Sequence, residues 1–194
     1  DYTTNSNYDL ALTDYVLDER FSRDIDYQRY IHSLYSLYSG EVGGFGYQGG
    51  LRAEYTDRKI ELASSNEKYV IDRWDYFPTL HFSYKLDDAN QFILSYTRRI
   101  ERPRGWNLEP FITWSDAYNV RQGNPDLKPE DIDSYEAGYQ RYFGKNLFSL
   151  EAYYRITNNK IENIRSVYND AEYDNVILRS VENVGKDYSF GWTD

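Results

Sequence analysis

Four arginines fall within seven positions, Arg98, Arg99, Arg102 and Arg104, and two tryptophans follow them, Trp106 and Trp114. A guanidinium binds carboxylate or phosphate through two parallel hydrogen bonds, and an indole ring stacks on sugars and peptides. The stretch is therefore a candidate contact for an anionic substrate or for phosphate groups. Plainer roles compete: the arginines as a salt-bridge ladder with neighbouring carboxylates at a rim, the tryptophans as the packed interior of their own loop.

The remaining reactive residue types are scattered. His32 and His81 stand on separate segments, and a triad needs a histidine beside a nucleophile and a carboxylate; both read as packing residues on a polar or interfacial surface. No HExxH, P-loop or GxSxG motif occurs. Gly43-Gly44-Phe45-Gly46 and Gly49-Gly50 lack the helix pattern that follows a nucleotide loop and read as a turn and strand glycines. Asp87-Asp88 and the Asp131/Asp133 pair lack the EF-hand spacing and read as solvated turns. Carboxylates are abundant, but the sequence sets no pair at a glycosidase separation. Cysteine is absent, which removes disulfides, zinc-thiolate sites and thiol nucleophiles. The expectation is a protein that is not an enzyme, with no catalytic residue, no cofactor and no metal.

Composition narrows the class. The 194 residues carry 22 Lys plus Arg against 32 Asp plus Glu, a formal net charge of −10, the reverse of a nucleic-acid-binding surface. Mean hydropathy is −0.82, and no run approaches the roughly 20 apolar residues of a membrane helix. Yet 22 Tyr, 9 Phe and 4 Trp are too many aromatics for a disordered acidic chain. With no Met and Asp at position 1, the sequence reads as a piece of something longer, a single segment over 1–194.

The elements that must hold these residues have a period of two, the signature of strands. Phe45, Tyr47, Leu51, Ala53 and Tyr55 alternate with Gln48, Arg52, Glu54 and Thr56. The same alternation sets Tyr76, Leu80, Phe82, Tyr84 and Leu86 against His81, Ser83 and Lys85, and Phe92, Leu94 and Tyr96 against Ser95, Thr97 and Arg99. Tyr135, Ala137, Tyr139 and Phe143 oppose Glu136, Gly138 and Gln140; Phe148, Leu150, Ala152, Tyr154 and Ile156 oppose Glu151, Tyr153 and Arg155. Further strands are expected at about 7–16, 25–38 and 175–184, and from Tyr188 onward.

Short connections with turn chemistry, Ser39–Gly44, Asp87–Asn90 and Gly144–Asn146, alternate with long ones at about 57–75, 100–133 and 157–174. That describes an antiparallel up-and-down meander. Two architectures share the pattern: a soluble sandwich, with its apolar face buried against a second sheet, and a membrane barrel, with that face in lipid. Tyr-rich apolar faces suit an interfacial belt, charges of both signs suit a wet lumen, and strands of about 9–11 residues suit a bilayer.

The block QGNPDLKPE at 122–130 has a local reading. Pro125 and Pro129 fix their own φ and push Asn124 and Lys128 toward extended backbone, and Gly123 permits a sharp bend. Gly123, Asn124, Pro125, Lys128, Pro129 and Glu130 then form a rigid, non-helical lead-in to the strand at Ser134.

In order along the chain, LDERF (17–21), GLRAEYT (50–56), FPTLHFSYKL (77–86), TRRIERPRGWNLEPF (97–111), QGNPDLKPE (122–130), DSYEAGYQRYF (133–143) and LEAYYRITNNKIENI (150–164) resemble the barrel region of TonB-dependent receptors. The likeness is strongest to the Bacteroidetes-type outer membrane protein β-barrel family, from about Tyr8 to Gly185. The resemblance implies a segment of a large transmembrane β-barrel, about 8 to 9 strands of the 22 that outer-membrane transporters use. It also implies the outer membrane of a Gram-negative bacterium, and import of a nutrient such as a siderophore, glycan or peptide. The implied partners are outer-membrane lipid, the TonB complex acting through a plug domain that is not in this sequence, and a surface lipoprotein. Arg98, Arg99, Arg102, Arg104, Trp106 and Trp114 then become candidate lumen or substrate-loop residues. The competing reading is a soluble or surface-attached β-sandwich for ligand binding or adhesion; a barrel enzyme is a third.

Overall fold

Gly43 and Gly44 hold φ of 56° and 80°, the left-handed pair that matches the twist of two antiparallel strands. The chain therefore folds straight back at this point. The computed structural model describes residues 2–3, 6–9, 14–17, 23–62, 67–169 and 175–193. In chain order the strands are β1 (Tyr2–Thr3), β2 (Ser6–Asp9), β3 (Asp14–Leu17), β4 (Arg23–Val42), β5 (Phe45–Leu62), β6 (Lys68–Lys85) and β7 (Asn90–Glu101). There follow β8 (Thr113–Asp116), β9 (Asn119–Arg121), β10 (Glu130–Phe143), β11 (Asn146–Asn158), β12 (Ile161–Val167), β13 (Ile177–Asn183) and β14 (Lys186–Thr193). A 3-10 turn, Gly105–Asn107, precedes β8.

The wall is one antiparallel sheet of eight strands in the order β1-β4-β5-β6-β7-β10-β11-β14. Two other turns close its hairpins at the same end. Asp87 Oδ1 accepts the backbone N–H of Ala89 and of Asn90, each at 2.8 Å, and Gly144 sits at φ 59°. At the opposite end the segments between wall strands fold on themselves. A small sheet, β12-β13-β9-β8, is built there from two of them.

Several expectations need correction. The long connection at 57–75 is largely strand, because β5 and β6 stay paired up to Glu61↔Lys68; residues 63–66 lie outside the described set. Its charges belong to a ladder that continues into water, where a charged strand has the composition of a loop. The strands are accordingly longer than 9–11 residues, reaching 20 in β4 and 18 in β5 and β6. The strand expected at 7–16 is a hairpin of β2 and β3, and residues 10–13 and 18–22, with most of the LDERF motif, lie outside the described set. The strand at 175–184 exists as β13, but it pairs with β12 and β9 in the small sheet instead of joining the wall. Inside 100–133 and 157–174 stand β8, β9 and β12; residues 170–174 are outside the described set. The last wall strand of that region begins at Glu130, four residues before Ser134.

Register fixes which side chains share a face. The rows Gly50–Thr79–Thr97–Ser134–Arg155 and Phe82–Leu94–Ala137–Ala152–Trp192 run across consecutive strands and lie on opposite faces, as the period of two requires. The second face is bare: Leu34, Leu94, Phe190 and Trp192 are 76%, 55%, 75% and 75% exposed. From Phe45 to Tyr55 its β5 positions are aromatic, Leu, Ala or Gly. Those eleven residues span about 33 Å along the strand, or roughly 25 Å in height at a barrel tilt. Beyond Tyr55 the bare face turns charged, with Asp57, Lys59 and Glu61; Lys59 and Glu61 pair at 2.7 Å.

The first face is covered at the loop end. Ile60 and Leu62 of β5 bury against Leu108, Leu127 and Val181 from the intervening segments, with Ile25, Tyr69, Phe111 and Ile161 around them. One residue opens the way for this packing. The β6–β7 ladder stops at Thr79↔Thr97; the next rung would use Pro78, which has no N–H to give. Above it the chain leaving β7 turns onto the covered face.

Candidate functional site

The covered face below this packed region carries the charged residues of alternate positions. Arg52 on β5, Arg99 on β7 and Arg155 on β11 line one concave pocket of about 600 Å³ together with Tyr35, Phe77, Thr79, Thr97 and Glu136. The Arg52 guanidinium lies 4.7 Å from the centre of the Phe77 ring, and also 3.4 Å from Glu54. Glu136 accepts a hydrogen bond from the Ser95 hydroxyl at 3.1 Å. Arg155 Nε donates to Ser134 Oγ at 3.3 Å. Arg99 has neither an ion pair nor a hydrogen bond among the described residues. A cavity with three guanidinium groups, one carboxylate and aromatic walls favours an anionic guest with some apolar surface.

Above the pocket a second polar cluster ties the loop to the wall. Arg102 donates to Glu54 at 2.7 Å and to Thr56 at 3.2 Å. Arg58, buried on the covered face, donates to the Pro125 carbonyl at 2.7 Å, and Arg73 pairs with Asp75. These residues are not available to a ligand without giving up buried partners.

The arginine run is thus divided. Arg99 and Arg102 are on the covered face. Arg98 is on the bare face, contrary to its expectation as a lumen or loop residue, because adjacent strand residues must point to opposite sides. There it makes a two-point pair with Asp133, at 2.8 and 2.9 Å, and Tyr96 donates to the same carboxylate at 2.8 Å. Arg104 is exposed just before the 3-10 turn. Trp106 is 42% exposed, with the Arg121 guanidinium 5.4 Å from its ring centre. Trp114 meets Tyr168 edge to face at 6.5 Å. His81 lies on the covered face and His32 on the bare one. Among the described residues, no group of three His, Asp or Glu side chains is placed to hold a metal ion.

The GNPDLKPE block is fastened at almost every position. Gly123 N–H donates to the Glu109 carbonyl at 2.7 Å and Asn124 N–H to the Asn107 carbonyl at 2.7 Å. A Cβ on Gly123 would stand 2.6 Å from the Glu109 oxygen and 2.7 Å from two more backbone atoms, so only glycine fits. Lys128 exchanges two hydrogen bonds with the Asn183 side chain, at 2.9 and 3.0 Å. Glu130 accepts the Ile161 N–H at 2.8 Å and faces Lys160 at 3.3 Å. The block joins β9, β10, β12 and β13.

The residues that sequence reasoning missed are on the small sheet. Arg165 of β12 is opposite Arg179 of β13, which is in register with Arg121 of β9. No signal along the sequence marks this row, since its members lie 14 to 58 residues apart and meet only through strand pairing.

A comparison with curated proteins returns no match. Among solved structures, the siderophore receptor PirA from Pseudomonas aeruginosa aligns over 88% of this chain and 39% of its own, with 14% identity and a TM-score of 0.59. The Serratia marcescens hemophore receptor HasR, in complex with its hemophore HasA and heme, aligns over 84% of this chain and 31% of its own, with 14% identity and a TM-score of 0.64. The copper transporter OprC aligns over 98% and 29%, with 14% identity and a TM-score of 0.63. The chain therefore spans between 29% and 39% of the length of these structures, which share its fold. The outer membrane protein beta-barrel family matches residues 1–193; the match names no lineage within it. With this coverage and a wall of alternating apolar and polar faces, the chain belongs to the outer membrane protein beta-barrel family, and its bare face is the one that meets lipid.

Proposed function

We propose that this chain is a part of the barrel wall of a TonB-dependent outer-membrane receptor that imports a nutrient. The observation that carries the reading is the two-sided wall. It is apolar over about 25 Å on the bare face, in agreement with an outer-membrane band, and lined by Arg52, Arg99 and Arg155 on the other. The likeness to a siderophore receptor, a hemophore receptor and a copper transporter supports the same reading. In it the segments after β5, β7 and β11 lie outside the cell and capture the nutrient. The partners are outer-membrane lipid, a plug domain with the TonB complex behind it, and a surface lipoprotein over the loops. Arg99 is the foremost substrate-contact candidate in the lumen, and Trp106 in the loops. Arg102 and the 123–130 block hold the loop in place. The soluble sandwich is not favoured, because no second layer covers the bare face among the described residues.

The test is uptake by intact cells. Deleting the gene should abolish accumulation of one labelled nutrient among a panel of ferric siderophores, heme, copper, glycans and peptides. Arg99→Gln in the restored gene should lower that uptake while leaving the amount of receptor in the membrane unchanged. Undiminished uptake of the whole panel after deletion would sink the proposal.

A further inference from the structure

The row Arg165–Arg179–Arg121 is hard to explain as structure. Like charges directly opposite one another on adjacent strands are destabilising, and here three follow in succession at strand spacings of about 4.8 Å. The acids of the same strands do not relieve them: Glu162 and Glu182 form their own opposite pair and, by alternation, lie on the other face. Glu109 is the single carboxylate within salt-bridge distance among the described residues, 3.7 Å from Arg121. Arg179 donates to the Asn119 amide oxygen at 3.3 Å, a neutral partner, and the Asp116 carboxylate that Asn119 holds feels its charge without a direct ion pair. Arg165 has no ion pair or hydrogen bond among the described residues. The row is not left over from packing either, since Arg165 and Arg179 are exposed.

The surroundings resemble a seat for a ligand. Arg121 and Arg179 border a recess of about 220 Å³ with Trp106, Ser115 and Asn163. The Arg121 guanidinium stands over the Trp106 ring, 5.4 Å from its centre, a cation–π contact. Guanidinium groups match phosphate and sulfate oxygens in paired hydrogen bonds, and a linear array of anionic groups removes the repulsion along the row.

We propose that Arg121, Arg179 and Arg165 form a binding row for a soluble oligoanion carrying consecutive phosphate or sulfate groups, with Trp106 as a ring platform beside it. The proposal deepens the transport reading and rests on it only for the side from which the ligand arrives. A binding measurement on purified receptor fails or succeeds independently of the uptake assay.

The probe is tripolyphosphate, titrated into the full-length receptor in detergent by calorimetry, with orthophosphate as the reference. Tripolyphosphate should bind at least tenfold more tightly than orthophosphate, and added salt should weaken it. Arg179→Gln should weaken it about tenfold and Arg165→Gln/Arg179→Gln should bring it down to orthophosphate. Arg165→Gln alone should also weaken binding without lowering the melting temperature of the unliganded receptor, since it relieves repulsion and gives up no ion pair or hydrogen bond among the described residues. That combination distinguishes a site from a structural element, whose loss lowers stability. Equal affinity for the two phosphates, or unchanged binding in the double variant, would overturn the row as a site. Displacement of tripolyphosphate by lipopolysaccharide at equal phosphate would assign the row to a membrane headgroup and overturn the soluble ligand.

Discussion

The two halves of the β5–β6 hairpin bury opposite sides of the same strands. Between Phe45 and Tyr55 the apolar residues of β5 are on the bare face. Between Thr56 and Leu62 they are on the covered face, where Ile60 is 0% and Leu62 3% exposed. The backbone does not change: the ladder runs unbroken and in one register from Phe45↔Tyr84 to Glu61↔Lys68. What changes is the medium outside. In the lower half it is hydrocarbon, which accepts Leu and Tyr and penalises charge. In the upper half it is water, so the apolar side chains must find protein, and the folded segment carrying Leu108 and Leu127 supplies it. Polarity along a strand therefore reports solvent more than topology.

The sharpest way to break this contrast is in the upper half. Ile60→Ala should leave a cavity in the packed loop and cost about 2–5 kcal/mol there. Hydrogen exchange should quicken over 105–129 and leave the lower wall protected. Loss of protection spread evenly over both halves would show that the loop and the wall are one cooperative unit. In the lower half the corresponding change is a charge on the bare face. Leu94→Arg should cost about 2–4 kcal/mol when the receptor is unfolded from lipid vesicles. The same change at Lys59 in the upper half is already present in the natural protein, as a cation. If Leu94→Arg proved neutral, the lower bare face would not be in hydrocarbon.

The alternation in the lower half was legible because every second residue of five strands is apolar. Once 98 and 99 belong to one strand, their opposite directions follow. The upper half was not legible for the same physical reason that makes it interesting. With Asp57, Lys59 and Glu61 outside and Ile60 and Leu62 inside, the apolar signal changes face midway, and a charged run looks like a loop. Strand β13 was found, but its partners were not, because a strand's sequence does not say which sheet it joins. The row of Arg121, Arg179 and Arg165 depends on two such pairings, one of them parallel, and exists only after folding. By contrast, the glycine at 123 was legible as a bend. What it was bending around, the backbone of Asn107 and Glu109, was not.

That close approach gives an intermediate prediction. Gly123→Ala forces a methyl to within 2.6 Å of the Glu109 carbonyl. It should cost about 1–3 kcal/mol and loosen the upper half alone, visible as faster proteolysis in the 105–129 segment. Unchanged proteolysis would mean that the two backbone segments can separate at little cost.

The smallest expected effect is a proton. Asp116, at the end of β8 and outside the membrane band, accepts from the Asn119 amide at 2.8 and 3.0 Å and from the Tyr118 N–H at 2.8 Å. The Asn119 side chain, then the Tyr118 amide, hold its carboxyl below the ordinary aspartate value. A group whose folded pKa is depressed contributes stability that is complete above its unfolded pKa and is lost as pH falls through the folded one. The β8–β9 turn should therefore be fully stabilised at neutral pH and weaken only under strong acid, and removing the Asn119 amide should move the carboxyl back up. Carbon-detected titration of the Asp116 carboxyl in the native receptor and in Asn119→Ala measures both. A midpoint that stays put in the variant would assign the depression to Tyr118 and to Arg179, whose charge acts in the same direction. Because Arg179 is the centre of the arginine row, the same titration repeated with tripolyphosphate bound should raise the Asp116 midpoint, as the anion takes up the guanidinium charge that had favoured the carboxylate.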